Sequence, residues 1–453
     1  MDRDLLSRMR AEAEEIFIDS LKPVDPYGAV RNFVRVEDSS LILGSNQKDA
    51  IQLDLRAYDR ISLVGGGKAT APMARALEDL FGARISRGMI NVKYGFTEHL
   101  EFTEITEAGH PVPDQSGVEG TAKILSFLKT AGKRDLIFSL ISGGGSALLC
   151  QPTPGIALLE KQELTRTLLE CGASIDEINA IRKHISSSKG GQMAEAAFPA
   201  TTVNLMLSDV VGDRTDVIAS GPFVPDGSTF EDALGVLKKY DLRDIPGAIH
   251  SRLREGAQGQ VPETPKRDDP VFGTVFNLII GSNILALEAA EKKAREFGYK
   301  TLILSSLMEG ETREVAVVHC SIAKEIVKTG RPIPPPACII SGGETTVTIR
   351  GSGLGGRNQE FCLASSLNIA GLPHNVVVLS GGTDGNDGPT DAAGAIVDQG
   401  TVSRGREMAM AAEDFLNNND AYHYFQKTEE LLITGPTNTN VMDVRIVLVR
   451  ADS

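Results

Sequence analysis

Ile61-Ser62-Leu63-Val64-Gly65-Gly66-Gly67-Lys68 sets a short apolar run against three glycines and a lysine, and a helical pattern continues from about Ala69 to Leu80. The same grammar returns at Leu136–Ile141 before Ser142-Gly143-Gly144-Gly145-Ser146 and at Leu278–Ile280 before Gly281-Ser282-Asn283. It recurs at Ala337–Ile340 before Ser341-Gly342-Gly343-Glu344, and at Val376–Leu379 before Ser380-Gly381-Gly382-Thr383-Asp384. Runs that are apolar at nearly every position, with Ser62 and Ser139 the exceptions, cannot turn a face to water, so helices should cover both faces of their sheets. Repeated strand–turn–helix units predict an α/β protein built on mostly parallel sheets.

A chain of 453 residues exceeds the roughly 250–300 at which one core stops growing, so two domains are expected. Gln258–Pro270, polar and carrying Pro262, Pro265 and Pro270, is the best boundary, giving domains 1–262 and 263–453. Arg331–Pro336 reads as an internal loop before a strand. Residues 1–21 read as an amphipathic helix with Leu5, Met9, Ala13, Ile16 and Phe17 on one side.

The net charge of −14 repels polyanions and speaks against nucleic-acid binding. No run approaches the ~20 apolar residues of a membrane span, and no apolar leader opens the chain. Five scattered cysteines without a CxxC pair fit buried thiols in a reducing compartment, so a soluble, cytoplasmic protein is expected. Seven dispersed histidines offer no structural zinc site.

Glycine turns at strand ends expose N–H groups beside helix N-termini, which is how open α/β sheets bind anions. Lys68 would stand at a helix start, where the macrodipole disfavours a cation unless an anion lies in front of it. The turn is not a GxxxxGK[ST] loop. It is also a poor dinucleotide fingerprint, with Thr70 in place of the third glycine and no acidic residue in Ser86–Asn91. In Gly355-Gly356-Arg357-Asn358-Gln359-Glu360, Arg357 can grip a phosphate or carboxylate with two parallel hydrogen bonds, or pair with Glu360 or a neighbouring acid. Two acidic clusters, Ser208–Asp213 and Thr383–Asp391, offer carboxylates for Mg²⁺ or for orienting a hydroxyl, although turn chemistry explains some of them. The second is no calcium loop, since Ala395 stands where a bidentate Glu is required. Ser186–Gly191 and Ser220-Gly221-Pro222 add hydroxyls and flexible backbone. His110 reads as a structural hydrogen-bonder.

These motifs resemble the MOFRL-type glycerate kinases (glycerate 2-kinases) over nearly the whole chain. The matching blocks are VGGGKATAPM (64–73), AGHPVPD (108–114), ISGGGSALL (141–149) and SDVVGDRTDVIASGPFVPD (208–226). SGGETT (341–346), LGGRNQE (354–360), GGTDGNDGPTD (381–391) and TGPTNTNV (434–441) complete the set. Gly66 departs from a frequent alanine, and Ser188 from a common isoleucine.

The resemblance implies a larger Rossmann-like N-terminal domain, a smaller C-terminal MOFRL domain and an active site in the cleft between them. It implies ATP and Mg²⁺ as co-substrates, glycerate as acceptor and 2-phosphoglycerate as product, with Lys68 and Arg357 in the active site. On that basis Lys68, Arg357 and Asp209 are candidate catalytic residues. Gly66, Gly67, Ser142, Gly143, Gly144, Gly145, Ser146, Lys189, Gly190, Gly343, Glu344 and Asn358 are candidates for nucleotide contact, and Asp209 and Asp384 for the metal. A homodimer is compatible with this reading. Two others compete: a hydroxypyruvate reductase using NAD(P)H, which the broken fingerprint opposes, and a non-catalytic sensor of phosphorylated metabolites, which would not need two carboxylate clusters.

Overall fold

The computed structural model describes residues 3–44, 50–372 and 375–450. It divides into two units, Pro26–Ile280 and, as the other, Met1–Asp25 with Gly281–Ser453.

Pro26–Ile280 opens with an antiparallel three-stranded sheet of β1 (Val34–Glu37), β2 (Ser40–Leu43) and β3 (Ile51–Asp54). Its centre is a six-stranded sheet of β4 (Arg60–Gly66), β5 (Ile85–Lys93), β6 (Thr103–Ala108), β7 (Asp135–Ile141), β8 (Thr201–Leu207) and β9 (Val275–Gly281), ordered β6-β5-β4-β7-β8-β9. Neighbours from β6 through β8 pair in parallel. Side chains alternate across the central strands. Leu63, Leu136, Phe138 and Leu140 pack into one core with Ala71, Ala74 and Leu77 of the helix Thr70–Phe81. Val64, Ile137 and Ile141 pack into another with Ile124, Leu128 and Met193. Each wholly buried Leu, Ile or Phe contributes roughly 1.5–3 kcal/mol, so an apolar run filling both cores specifies a central strand. The polar stretch 258–270 stays with this unit, because its side chains satisfy buried groups there. Glu263 accepts the Phe230 N–H at 2.8 Å, and Thr264 donates to Asp226 at 2.9 Å.

The other unit holds β10 (Lys300–Met308), β11 (Ala337–Gly343), β12 (Asn375–Gly382), β13 (Gly394–Asp398), β14 (Leu431–Leu432) and β15 (Asp443–Arg450), ordered β10-β11-β15-β12-β13-β14. This sheet is mixed, against the expectation of a mostly parallel one. Only β10 and β11 run parallel, because the returning end of the chain inserts β15 antiparallel to both β11 and β12. Helices Thr312–Thr329 and Arg357–Ile369 cover one face with Cys320, Phe361 and Leu363. The other face is covered by Asn283–Glu296 and by the first helix, Arg3–Leu21, whose Met9, Ala13, Ile16 and Phe17 pack against Ile340, Leu379 and Ile446. The amphipathic helix read at the N-terminus is present, with Met1 and Asp2 outside the described residues. Its polar edge is pinned as well: Arg10 reaches Asp398 at 2.8 Å and the Ile396 carbonyl at 2.7 Å. The compact units therefore change over at Asp25/Pro26 and Ile280/Gly281, whereas residue composition alone suggested 262/263.

Among the described residues, no helix is long and apolar enough to cross a membrane.

Candidate functional site

In the unit Pro26–Ile280, parallel pairing brings the ends of β4 and β7 side by side, and their glycine turns interlock. Lys68 N donates to Gly143 O at 2.9 Å, and Ala69 N to Ser142 Oγ at 3.0 Å. The Ser142 hydroxyl thus ties the first turn down. A Cβ at Gly67 would lie 2.1 Å from Ser142 Oγ and 2.8 Å from its backbone N and O, and one at Gly143 would lie 2.3 Å from Asp209 Oδ2. Gly144 takes φ 85°, a conformation that favours glycine, with the His110 ring against it. Gly66 backs onto Leu149, and Gly145 packs on Ala219.

Alanine at Gly67 forces the Ser142 backbone to move. We expect about 1–3 kcal/mol of lost stability in urea unfolding and a fall in catalytic efficiency from the displaced Lys68. Wild-type values for both would show that the turns are not coupled.

Lys68 is half-buried and makes no ion pair among the described residues. His110 beside it is held neutral: burial, then repulsion from Lys68 and Lys93, push its pKa down to about 4. Lys189 is buried behind the β7 turn, where it donates to Ser146 O at 2.8 Å, while Ser146 Oγ meets Ser220 Oγ at 3.0 Å. Gly190 N bonds Ser220 O, which locks the 186–191 turn to the 220 turn.

In the other unit, Arg357 begins its helix with the guanidinium 30% exposed. Nε and Nη2 donate to Asp443 at 2.8 and 2.9 Å, and Nη1 to Glu344 at 2.9 Å. Burial opposes the charge, but Asp443 and Glu344 outweigh it and hold the guanidinium protonated. Glu360 instead pairs with Arg313 at 2.6 Å. Asn358 is wholly buried: its amide donates to Asp387 and Asp443, and its carbonyl accepts from Ser380. Its side chain is thus engaged by two carboxylates and a hydroxyl of its own unit. Asp387 caps the helix, accepting from Asn358 N at 3.0 Å and Gln359 N at 2.8 Å. Burial pushes its pKa up to about 7, aided by Asp443 and opposed by those N–H groups. Behind Asp443 lies Arg445, fully buried at 2.9 Å from that carboxylate. Gly343 takes φ 115° against Met308, and Asp384 accepts the Asn386 N–H in a turn.

Each unit thus gathers its own sequence-derived candidates: Lys68, Asp209, Lys189 and the β7 turn in one, Arg357, Glu344, Asn358 and Asp384 in the other. Among the described residues no three carboxylates, histidines or cysteines come together as a metal cage. Sequence reasoning missed Asp443 and Arg445. The signal was there, since two charges interrupt an otherwise apolar run from Val441 to Val449.

Residues 12–254 match a domain of unknown function, DUF4147, and residues 337–443 match the MOFRL family. The chain is 41% identical to a glycerate 2-kinase of Pyrococcus horikoshii, with 95% of each chain covered. A relative from Agrobacterium vitis, provisionally named hydroxypyruvate reductase, is 38% identical over 93% of this chain and 95% of its own. The fold is similar to the crystal structure of glycerate kinase from Thermotoga maritima, with a TM-score of 0.86, 40% identity, and 98% of this chain and 100% of that one covered.

Proposed function

This chain belongs to the glycerate kinase family, and from that premise we propose that it transfers the γ-phosphoryl group of ATP, with Mg²⁺, to the 2-hydroxyl of D-glycerate. The observation that carries the reading is Lys68, a cation without a carboxylate partner among the described residues, held at the end of β4 by interlocked glycine turns.

Phosphoryl transfer asks a protein for alignment and charge neutralisation more than covalent work. In this reading Lys68 and Arg357 are each a cation for an anionic group of the reactants, the glycerate carboxylate or the transferring phosphoryl. The hydroxyl oxygen bonds to phosphorus as the bond to the ADP oxygen breaks, and its proton passes to a carboxylate, Asp209 or Asp384. The donor set fits the cofactors. Lys189, like Lys68, has no carboxylate partner among the described residues and suits a polyphosphate. Mg²⁺ keeps several waters and needs only one or two carboxylates besides phosphate oxygens, a part that Asp209 or Asp384 would supply. When bound, the ion would neutralise phosphate charge.

A reductase needs a carboxylate for the cofactor ribose at the C-terminal end of the strand after the glycine turn. There β5 carries Asn91 and Lys93 instead, and Asn91 is occupied with Gly117 O and Leu148 O.

Purified protein given ATP, Mg²⁺ and D-glycerate, followed by enolase without a mutase, should yield phosphoenolpyruvate at once. Product that waits for added mutase would mean phosphorylation at the 3-position. Oxidation of NADH with hydroxypyruvate in place of phosphoryl transfer would reverse the reading.

A further inference from the structure

A cavity of about 890 Å³ lies within Pro26–Ile280, beside the β7 turn. Its charged wall is contributed by Lys161 of the helix Leu158–Glu170, Arg182 of the helix Ile175–His184, and Lys189. None of the three meets a carboxylate among the described residues. Lys161 donates to Ser186 Oγ at 2.6 Å and Cys150 O at 3.3 Å, Lys189 donates to backbone carbonyls, and the Arg182 guanidinium has no acceptor there. The only lining carboxylate, Glu163, is exposed at the rim with Arg166.

Three buried or half-buried cations crowded without carboxylate partners among the described residues are expensive. Burial, with repulsion from Arg182, depresses Lys161 to about 8, and burial, with repulsion from Lys161 and Arg182, holds Lys189 well below the usual lysine range. A fold retains such an arrangement where an anion completes it. One glycerate carboxylate would neutralise a single charge and leave most of the cavity empty, whereas the volume is that of sites for much larger ligands. Much of the remaining lining is apolar: Pro111, Val112 and Pro113 join Leu159 and Leu169, which are 76% and 61% exposed and so present bare hydrocarbon.

We propose that this cavity holds the nucleotide, with its phosphates on Lys161, Arg182 and Lys189 and its base against Val112, Leu159 and Leu169. The proposal rests on the kinase reading and extends it. Lys161 and Arg182 become phosphate-binding residues, and Lys68 is left for the acceptor or the group in flight.

ADP, inorganic tripolyphosphate and D-glycerate distinguish the parts, by calorimetry on the full chain and by D-glycerate KM. Arg182→Met should weaken both ADP and tripolyphosphate at least ~10-fold and leave the D-glycerate KM within about twofold of wild type. Leu169→Asp, at an exposed position that folding does not depend on, should weaken ADP ~5-fold or more while tripolyphosphate binds as before. ADP bound at wild-type strength by both variants, or a D-glycerate KM raised by Arg182→Met with ADP binding unchanged, overturns the assignment and leaves the kinase reading standing. A wild-type chain that phosphorylates no glycerate, yet binds ADP through Arg182 and Leu169, would do the reverse.

Discussion

Alanine in place of Lys68 or Arg357 should lower kcat/KM for D-glycerate by at least ~10²-fold, the ~2–4 kcal/mol typical of a preorganised donor aimed at developing charge. The two variants should differ in everything else. Lys68 is half-buried and makes no ion pair among the described residues, so its loss should leave the melting temperature unchanged. Arg357 is fixed by Asp443 and Glu344. That fixed fork is what would give the transition state an advantage over the ground state. Arg357→Lys keeps the charge and loses the fork, so it should recover little of the activity. Initial rates over a range of D-glycerate, with a thermal melt of each variant, make the check. Near-wild-type turnover in both alanine variants would end the assignment of these residues to the site.

The largest stability effect should come from Asp443→Asn. The carboxylate is wholly buried between Arg357 and Arg445, with Asn358 donating to it at 2.9 Å. Without its charge Arg357 keeps Glu344, but Arg445 is left with the Thr345 hydroxyl at 3.0 Å and the Phe361 ring, neither of them an anion. Arg445 is already under-satisfied, since its Nε and Nη1 are buried without partners. Breaking a buried pair from one side costs about 3–5 kcal/mol, and a unit of this size should melt on the order of 10 °C lower. Adding Arg445→Met removes the stranded cation, so the double variant should be more stable than Asp443→Asn alone, a coupling that a mutant cycle measures. Asp443→Asn melting with the wild type would show that the pair contributes nothing net.

Legibility in the sequence followed the range of the forces involved. β4, β7, β11 and β12 could be read because burial on both faces demands a nearly unbroken apolar run, a property each strand carries by itself. The direction of β15 could not, because a strand delivered by the chain end can pair either way, and its partners, Ala337–Gly343 and Asn375–Gly382, lie far upstream. The stretch 258–270 looked like a linker because polar residues and prolines are common to linkers and to loops that satisfy buried groups; Glu263 and Thr264 proved to be the second kind. Asn358 looked like a ligand contact for a similar reason. Its amide chemistry serves a nucleotide or a buried carboxylate equally well, and only packing decides between them. Lys161 carries no local mark at all, since a lysine in a polar helix looks solvated until Ser186 and Cys150 close over it.

The first helix has a consequence for how the chain is made. Its apolar stripe docks on strands and a helix that lie beyond residue 281. At roughly 5–20 residues per second, a ribosome would deliver Met9, Ile16 and Phe17 some 20–85 s before their docking surface is finished. Pro26–Ile280 can meanwhile fold behind them. The nascent chain therefore trails an unmatched greasy segment through most of its own translation, and that segment is where a chaperone would find its handhold.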